Sequence, residues 1–272
     1  MKYNNIQVQS DFLTNSVITY SAPIINPGPP TPNKKKKTVR VADGVATNDL
    51  VHSAYVGNND EIFTEVVKLH IKRGSRVADI TYGRGVFWRN VPQDYCELVA
   101  SDIASGTDCR KLPYEMESFD AVVLDPPYMH TPGGTAHQGH QNFEMYYRNN
   151  SGEAAPLDDP TKKYHEAVLD LYFRAGQEAW RVLKSEGVLI VKCQDEVCAN
   201  KQRLTHVEII NEYATYGFVC DDLFVLVRNG KPGVSRIKQQ AHARKNHSYF
   251  LVFRKPKAKS VRLPQQKTQK KV

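Results

Sequence analysis

Runs of apolar residues broken at regular intervals organise the chain. DEIFTEVVKLHI (60–71) places its apolar residues at helical spacing, so it predicts a helix ahead of the first strand. VADI (77–80) reads as a strand, followed by a tight turn holding Gly83 and Gly85 and then a resumed apolar segment, VFW. ELVASDI (97–103) is a second apolar segment with Asp102 at its end, and Asp108 sits at a further predicted strand exit. The fourth segment, AVVL, ends in Asp125. KYHEAVLDLYFRAGQEAWRVL (163–183) predicts a long amphipathic helix leading into the strand GVLIVKC. RLTHVEIINEYATYG (203–217) predicts another helix, closed by Gly217 as a C-cap. FVCDDLFVLV (218–227) and SYFLVF (248–253) are the last two strands, joined by a basic loop. Helix and strand alternate, which predicts an α/β fold with helices on both faces of the sheet.

Two of the breaks carry chemistry. In VVLDPPYMHTPGG (122–134) two prolines follow the aspartate. Proline cannot donate to a strand ladder and fixes φ, so Asp125, Pro126, Pro127 and Tyr128 leave the sheet as a rigid platform of acceptors. Taken alone, a proline pair after an apolar run is more often a strand-ending turn. In SRVADITYGRGVFW (75–88) the glycines at the strand exit allow a ligand to approach bare backbone. Asp102 follows Gly85 by seventeen residues, an offset at which an acidic residue on the neighbouring strand tip can accept from ribose hydroxyls.

Together these words resemble a known family. ADITYGRG resembles the S-adenosyl-L-methionine (AdoMet) motif, and DPPY the catalytic motif, of the DNA amino-methyltransferases that modify adenine N6 or cytosine N4. GVLIVKCQD (187–195) and RKNHSYFLVFRK (244–255) are similar to that family's later core strands, so the likeness spans roughly residues 50–255. Where family members often carry an aromatic before the glycines, this chain has Thr81-Tyr82. The resemblance implies a Rossmann-like seven-stranded methyltransferase sheet, mostly parallel with an antiparallel last strand. It also implies AdoMet as cofactor, bound by Asp79, Thr81, Gly83, Gly85, Asp102, Asp108 and Cys109. Asp102 would hold the ribose, and Asp108 with Cys109 would meet the adenine. Asp125 and the Pro126 carbonyl would grip the target amine, and Tyr128 would stack on the extruded base. Adenine N6 is the expected target, because the DPPY spelling is commoner in the adenine enzymes and SPPY in the cytosine ones.

Composition sharpens the partner. The chain has 272 residues and a net charge of +8, but fourteen of its 37 Lys and Arg lie from Arg228 onward, where there is no Asp or Glu. The first 227 residues thus hold 23 basic against 29 acidic groups. Arg236, Lys238, Arg244 and Lys245 sit in the basic loop 228–247 between two predicted strands, a nucleic-acid footprint. The tail from residue 256 reads equally as footprint or as solvated tail. DNA is the expected partner and RNA the alternative, since DPPY-type words also occur in enzymes acting on tRNA or rRNA bases. A fold-retaining, catalytically dead binding module is the rival of another class.

The remaining features set bounds. Five cysteines without a CxxC pair, and no run approaching a membrane span, predict a soluble, reduced cytoplasmic chain without structural zinc. Residues 21–40, rich in proline and then lysine, read as a linker. The expected layout is an arm and linker over 1–44, one methyltransferase domain over 45–255, and a basic tail over 256–272. Residues 129–160 form a loop longer than compact domains usually carry without function. Its glycines suggest a lid, Tyr146, Tyr147 and Arg148 read equally as contacts to the substrate nucleic-acid strand or as packed aromatics, and His137 and His140 lack the further ligands that a metal site needs.

Overall fold

The computed structural model describes residues 50–128, 157, 159, 161, 162, 164–229 and 239–257. The arm and linker, most of the 129–160 loop and the tail from 258 onward lie outside the described residues, as do His137, His140, Tyr146, Tyr147, Arg148, Arg236 and Lys238.

In chain order the elements are β1 (Ala54–Gly57), α1 (Asn59–His70), β2 (Arg76–Asp79), β3 (Glu97–Ala100), β4 (Phe119–Leu124), α2 (His165–Val182), β5 (Leu183–Cys193), β6 (Glu196–Cys198), β7 (Lys201–Arg203), α3 (Thr205–Tyr216), β8 (Val219–Arg228) and β9 (His247–Arg254). Seven strands form one sheet in the order β1-β8-β9-β5-β4-β2-β3, and β6 and β7 pair separately. All neighbours in the sheet are parallel except β9, which runs antiparallel to both β5 and β8. The seven strands and the reversed last one match the expectation, and the seventh comes from Ala54–Gly57, a segment too short to stand out as a strand in the sequence.

The side-chain alternation of a strand explains why the apolar runs are unbroken. Val122, Leu124, Leu189, Val191, Leu251 and Phe253 pack with Val168, Leu171 and Tyr172 of α2 and Ile209 and Tyr213 of α3. Their neighbours Ala121, Val123, Ile190, Phe250 and Val252 face the other way, onto Ile62, Phe63, Val66 and Val67 of α1. Each run therefore fills two cores. Gly217 ends α3 at φ 101, the left-handed cap that the sequence predicts.

The apolar segment VFW after the glycines forms a 3-10 turn, Val86–Asn90. Two local expectations change. Asp108 is not at a strand exit; it follows the 3-10 turn Ile103–Ser105 in the β3–β4 connection, where Gly106 turns the chain with φ 92. Residues 196–203 form the β6–β7 hairpin, which shortens the front of the predicted 203–217 helix. The hairpin is fastened by His165, whose Nδ1 lies 2.7 Å from Glu196 Oε1 and whose Nε2 lies 2.6 Å from Glu208 Oε2. Burial opposes a charge on this imidazole, yet the two carboxylates outweigh it and hold its pKa up.

Candidate active site at the carboxyl edge of the sheet

Five parallel strands deliver polar residues to one edge: Asp79 ends β2, Asp102 follows β3, Asp125 follows β4, Lys192 is the last residue but one of β5 with Gln194 just after it, and Arg228 ends β8. In an open α/β sheet this carboxyl edge is where ligands bind.

The glycine turn is built by hydrogen bonds between strand tips. Tyr82 N donates to the Ser101 carbonyl at 3.0 Å, and Gly83 N donates to Asp102 Oδ2 at 3.1 Å, so the turn is strung across β2 and β3. Gly85 takes φ 65, and a Cβ there would run into the Tyr82 ring. Only glycine satisfies both the left-handed backbone and the close ring. Asp102 Oδ1 accepts from Ala104 N at 2.8 Å, which fixes the carboxylate at the tip of β3.

Asp79 is 3% exposed. Its Oδ2 accepts from Trp88 Nε1 at 2.7 Å and its Oδ1 from Thr81 N at 3.1 Å. Burial pushes its carboxyl up to about 7 against the pull of those two hydrogen bonds, with the charges of Asp125 and Asp102 adding to the rise.

Thr81 joins the two sequence words. Ile80 N donates to the Val123 carbonyl at 3.1 Å, the last backbone bond between β2 and β4 at this edge. One residue on, the Thr81 hydroxyl accepts the Asp125 backbone N–H at 2.6 Å. A side-chain oxygen thus replaces the ladder where Pro126 and Pro127 end it.

Asp125 Oδ1 is buried and has no hydrogen-bond partner among the described residues. Burial raises the carboxyl above its ordinary range, and the positive charges of Lys192 and Arg228 draw it back. Tyr128 is tied down from across the sheet, its hydroxyl accepting from Arg228 Nη2 at 2.8 Å, while the same nitrogen lies 3.4 Å from Gln194 Oε1. Beyond Gln194, Asp195 Oδ1 lies 2.6 Å from His206 Nδ1, the Tyr249 hydroxyl donates to Asp195 Oδ2 at 3.3 Å, and the His206 ring stacks on Tyr249 with centroids 4.2 Å apart. These groups form a polar aromatic wall next to the Asp-Pro-Pro-Tyr platform.

The other predicted residues behave differently. Asp108 is engaged by its neighbour Arg110, with Nη2 to Oδ2 at 2.7 Å, and the Arg110 side chain is 1% exposed. The Cys109 side chain is buried in the α2–α3 core, which leaves its backbone as the part able to meet a ligand. Arg244 is exposed and Lys245 half-buried on the return to β9, where His242 Nε2 donates to the Asn200 carbonyl at 3.0 Å. Sequence reasoning passed over Lys192, Asn59, Trp88, Gln194 and Arg228 as site residues. Lys192 left one signal: a lysine inside the apolar run GVLIVKC, two residues after the core-facing Ile190.

A family model for DNA methylases, of the N6/N4 methyltransferase type, matches residues 119–272. No curated protein matches the chain significantly. Among solved structures, a candidate DNA modification methylase from Thermus thermophilus is 19% identical with a TM-score of 0.34, over 70% of this chain and 56% of that one. The same protein complexed with S-adenosyl-L-methionine is 18% identical over 70% and 59%, with a TM-score of 0.34. TrmN from Thermus thermophilus is 14% identical over 72% and 48%, with a TM-score of 0.41. The chain thus spans less than two thirds of the length of each of these three.

Proposed function

The chain belongs to the DNA methylase family of N6/N4 methyltransferases, and from that premise we propose that it transfers a methyl group from AdoMet to the exocyclic amine of a DNA base, adenine N6 before cytosine N4. The observation that carries this reading is Asp125 Oδ1, a buried carboxylate oxygen without a partner among the described residues, at a strand tip stiffened by two prolines.

The residues present fit the cofactor. Its donors are an ammonium and ribose hydroxyls, and the edge offers the Asp102 carboxylate beside the exposed Gly83, together with the charge of the buried Asp79 carboxylate. Asp79, once ionised, would favour the ammonium, and Asp102 would take ribose hydroxyls alongside the bonds it already makes. When bound, AdoMet supplies a methyl group already activated on a sulfonium.

What remains for the protein is to sharpen a poor nucleophile. The lone pair of an aromatic amine is delocalised into its ring, and acceptors around its N–H groups favour the pyramidal form. Asp125 and the Pro126 carbonyl are those acceptors. Groups aimed at charge that develops during reaction contribute about 3–4 kcal/mol each. Thr81 holds the Asp125 backbone in place, and Tyr128, tethered by Arg228, offers a ring face to the extruded base. Arg236, Lys238, Arg244 and Lys245 supply the phosphate contacts.

Methyl transfer from isotope-labelled AdoMet, followed by nucleoside analysis of the product, tests the reading. The expected product from duplex DNA is N6-methyldeoxyadenosine. Label found in RNA and absent from DNA would overturn it.

A further inference from the structure

Lys192 sits where a lysine is costly. It is 2% exposed, near the carboxyl end of the sheet's central strand, and a buried ammonium costs several kcal/mol unless it is compensated. The strand register places it. Leu124 pairs with Val191 across β4 and β5, so Asp125 and Lys192 occupy the next matched positions. Val123 and Ile190, two residues earlier on each strand, face α1, and the alternation of strand side chains carries Asp125 and Lys192 to that same face.

Lys192 Nζ is held from elsewhere. It donates to Asn59 Oδ1 at 2.7 Å, at the first turn of α1, and lies 4.0 Å from the centroid of the Phe250 ring on β9. Among the described residues no hydrogen bond or ion pair joins it to Asp125, and its positive charge draws that carboxyl back toward its ordinary range. The standoff has a chemical consequence. A direct salt bridge would occupy the carboxylate oxygens, whereas an ammonium anchored to one side favours the charged carboxylate and leaves its lone pairs for other donors.

We propose that Lys192 is a positioning residue for Asp125, its ammonium pinned by Asn59 and Phe250 so that the carboxylate stays ionised with its oxygens free for the N–H groups of the target amine. This rests on the assignment of Asp125 to that amine. The other groups bearing on Asp125 are Arg228 from β8, Asp79 from β2, Tyr128 on its own loop, Tyr172 from α2 and Cys193 from β5. Among them Arg228 is the second cation, but it is exposed and committed to Tyr128 and Gln194.

The test reads the pair directly. In the full chain labelled with 13C at aspartate carboxyls, with the Asp125 resonance identified by its loss in Asp125→Asn, the titration midpoint of Asp125 is compared between wild type and Lys192→Met. The midpoint is expected to rise by about one pH unit or more once the cation is gone, and the acid limb of kcat for methyl transfer is expected to move with it. An unchanged midpoint overturns the proposal. Coupling is reciprocal, so Asp125→Asn should lower the Lys192 midpoint read at its 13Cε; this arm decides the matter even where Lys192→Met does not fold, and an unmoved Lys192 also overturns the proposal. A midpoint that shifts in a chain transferring no methyl group to any nucleic acid supports the charge pairing and sinks the functional reading instead.

Discussion

The Thr81 hydroxyl accepts the backbone N–H of Asp125 at 2.6 Å, so the glycine word and the Asp-Pro-Pro-Tyr word are one piece of structure. Removing that acceptor leaves a partly buried N–H without a partner, at a cost of about 1–3 kcal/mol. Thr81→Val should lower kcat by roughly ten- to a hundredfold, and Thr81→Ser should restore most of it. Steady-state methyl transfer by the two variants checks this, and equal rates for Val and Thr would remove Thr81 from the site.

Asp125→Ala should abolish turnover by at least about a hundredfold, the usual loss for one acceptor or donor aimed at the transition state. AdoMet binding measured by calorimetry should persist. Loss of both together would mean that Asp125 serves the cofactor turn and not the amine.

The pH dependence of stability should report Asp79. Its folded pKa of about 7 stands above the ordinary value of 3.8, so the folded state holds the proton more tightly than the unfolded one. The contribution from this group is therefore fully present below about pH 4 and is lost as pH rises through about 7. The wild type should lose stability relative to Asp79→Asn across that window, by an amount on the order of a few kcal/mol. Denaturant melts of both proteins at about pH 5 and about pH 8, on either side of the folded midpoint, make the comparison. A constant difference would contradict it.

Tyr128→Phe keeps the ring and drops the tie to Arg228, whereas Tyr128→Ala removes the stacking face. Base stacking on an aromatic side chain contributes about 1–3 kcal/mol. The alanine variant should therefore lose roughly ten- to a hundredfold in kcat/KM for DNA, and the phenylalanine variant far less. Fluorescence of a 2-aminopurine placed at the target position would follow extrusion in each.

Charge reversal at Arg236, Lys238, Arg244 and Lys245 together should weaken DNA binding and flatten its dependence on salt, because fewer counterions are released on binding. Filter binding between about 50 mM and about 200 mM salt, the range where such slopes are read, measures both. An unchanged slope would make this loop a solvated surface.

The central strands, the helices and both motifs were legible because their signals are local: unbroken apolar runs, helical spacing, and the glycine and proline breaks. β1 was not, since four residues at a sheet edge carry too little pattern and gain their order from pairing with β8. Asp108 looked like a strand tip because an acidic residue after an apolar segment reads the same whether or not a turn intervenes; Gly106 supplies that turn. Lys192 escaped because the meaning of a buried lysine lies in its neighbours, Asn59 from 133 residues earlier in the chain and Phe250 from the last strand.

The reversed direction of β9 places Arg228 and His247, the two stems of one connection, on the same rim as Asp125, with Val227 paired to His247. On the reading proposed above, a change of DNA target would fall to the chain between those stems or to residues 129–160, leaving the strand tips that carry Asp79, Asp102 and Asp125 as they are.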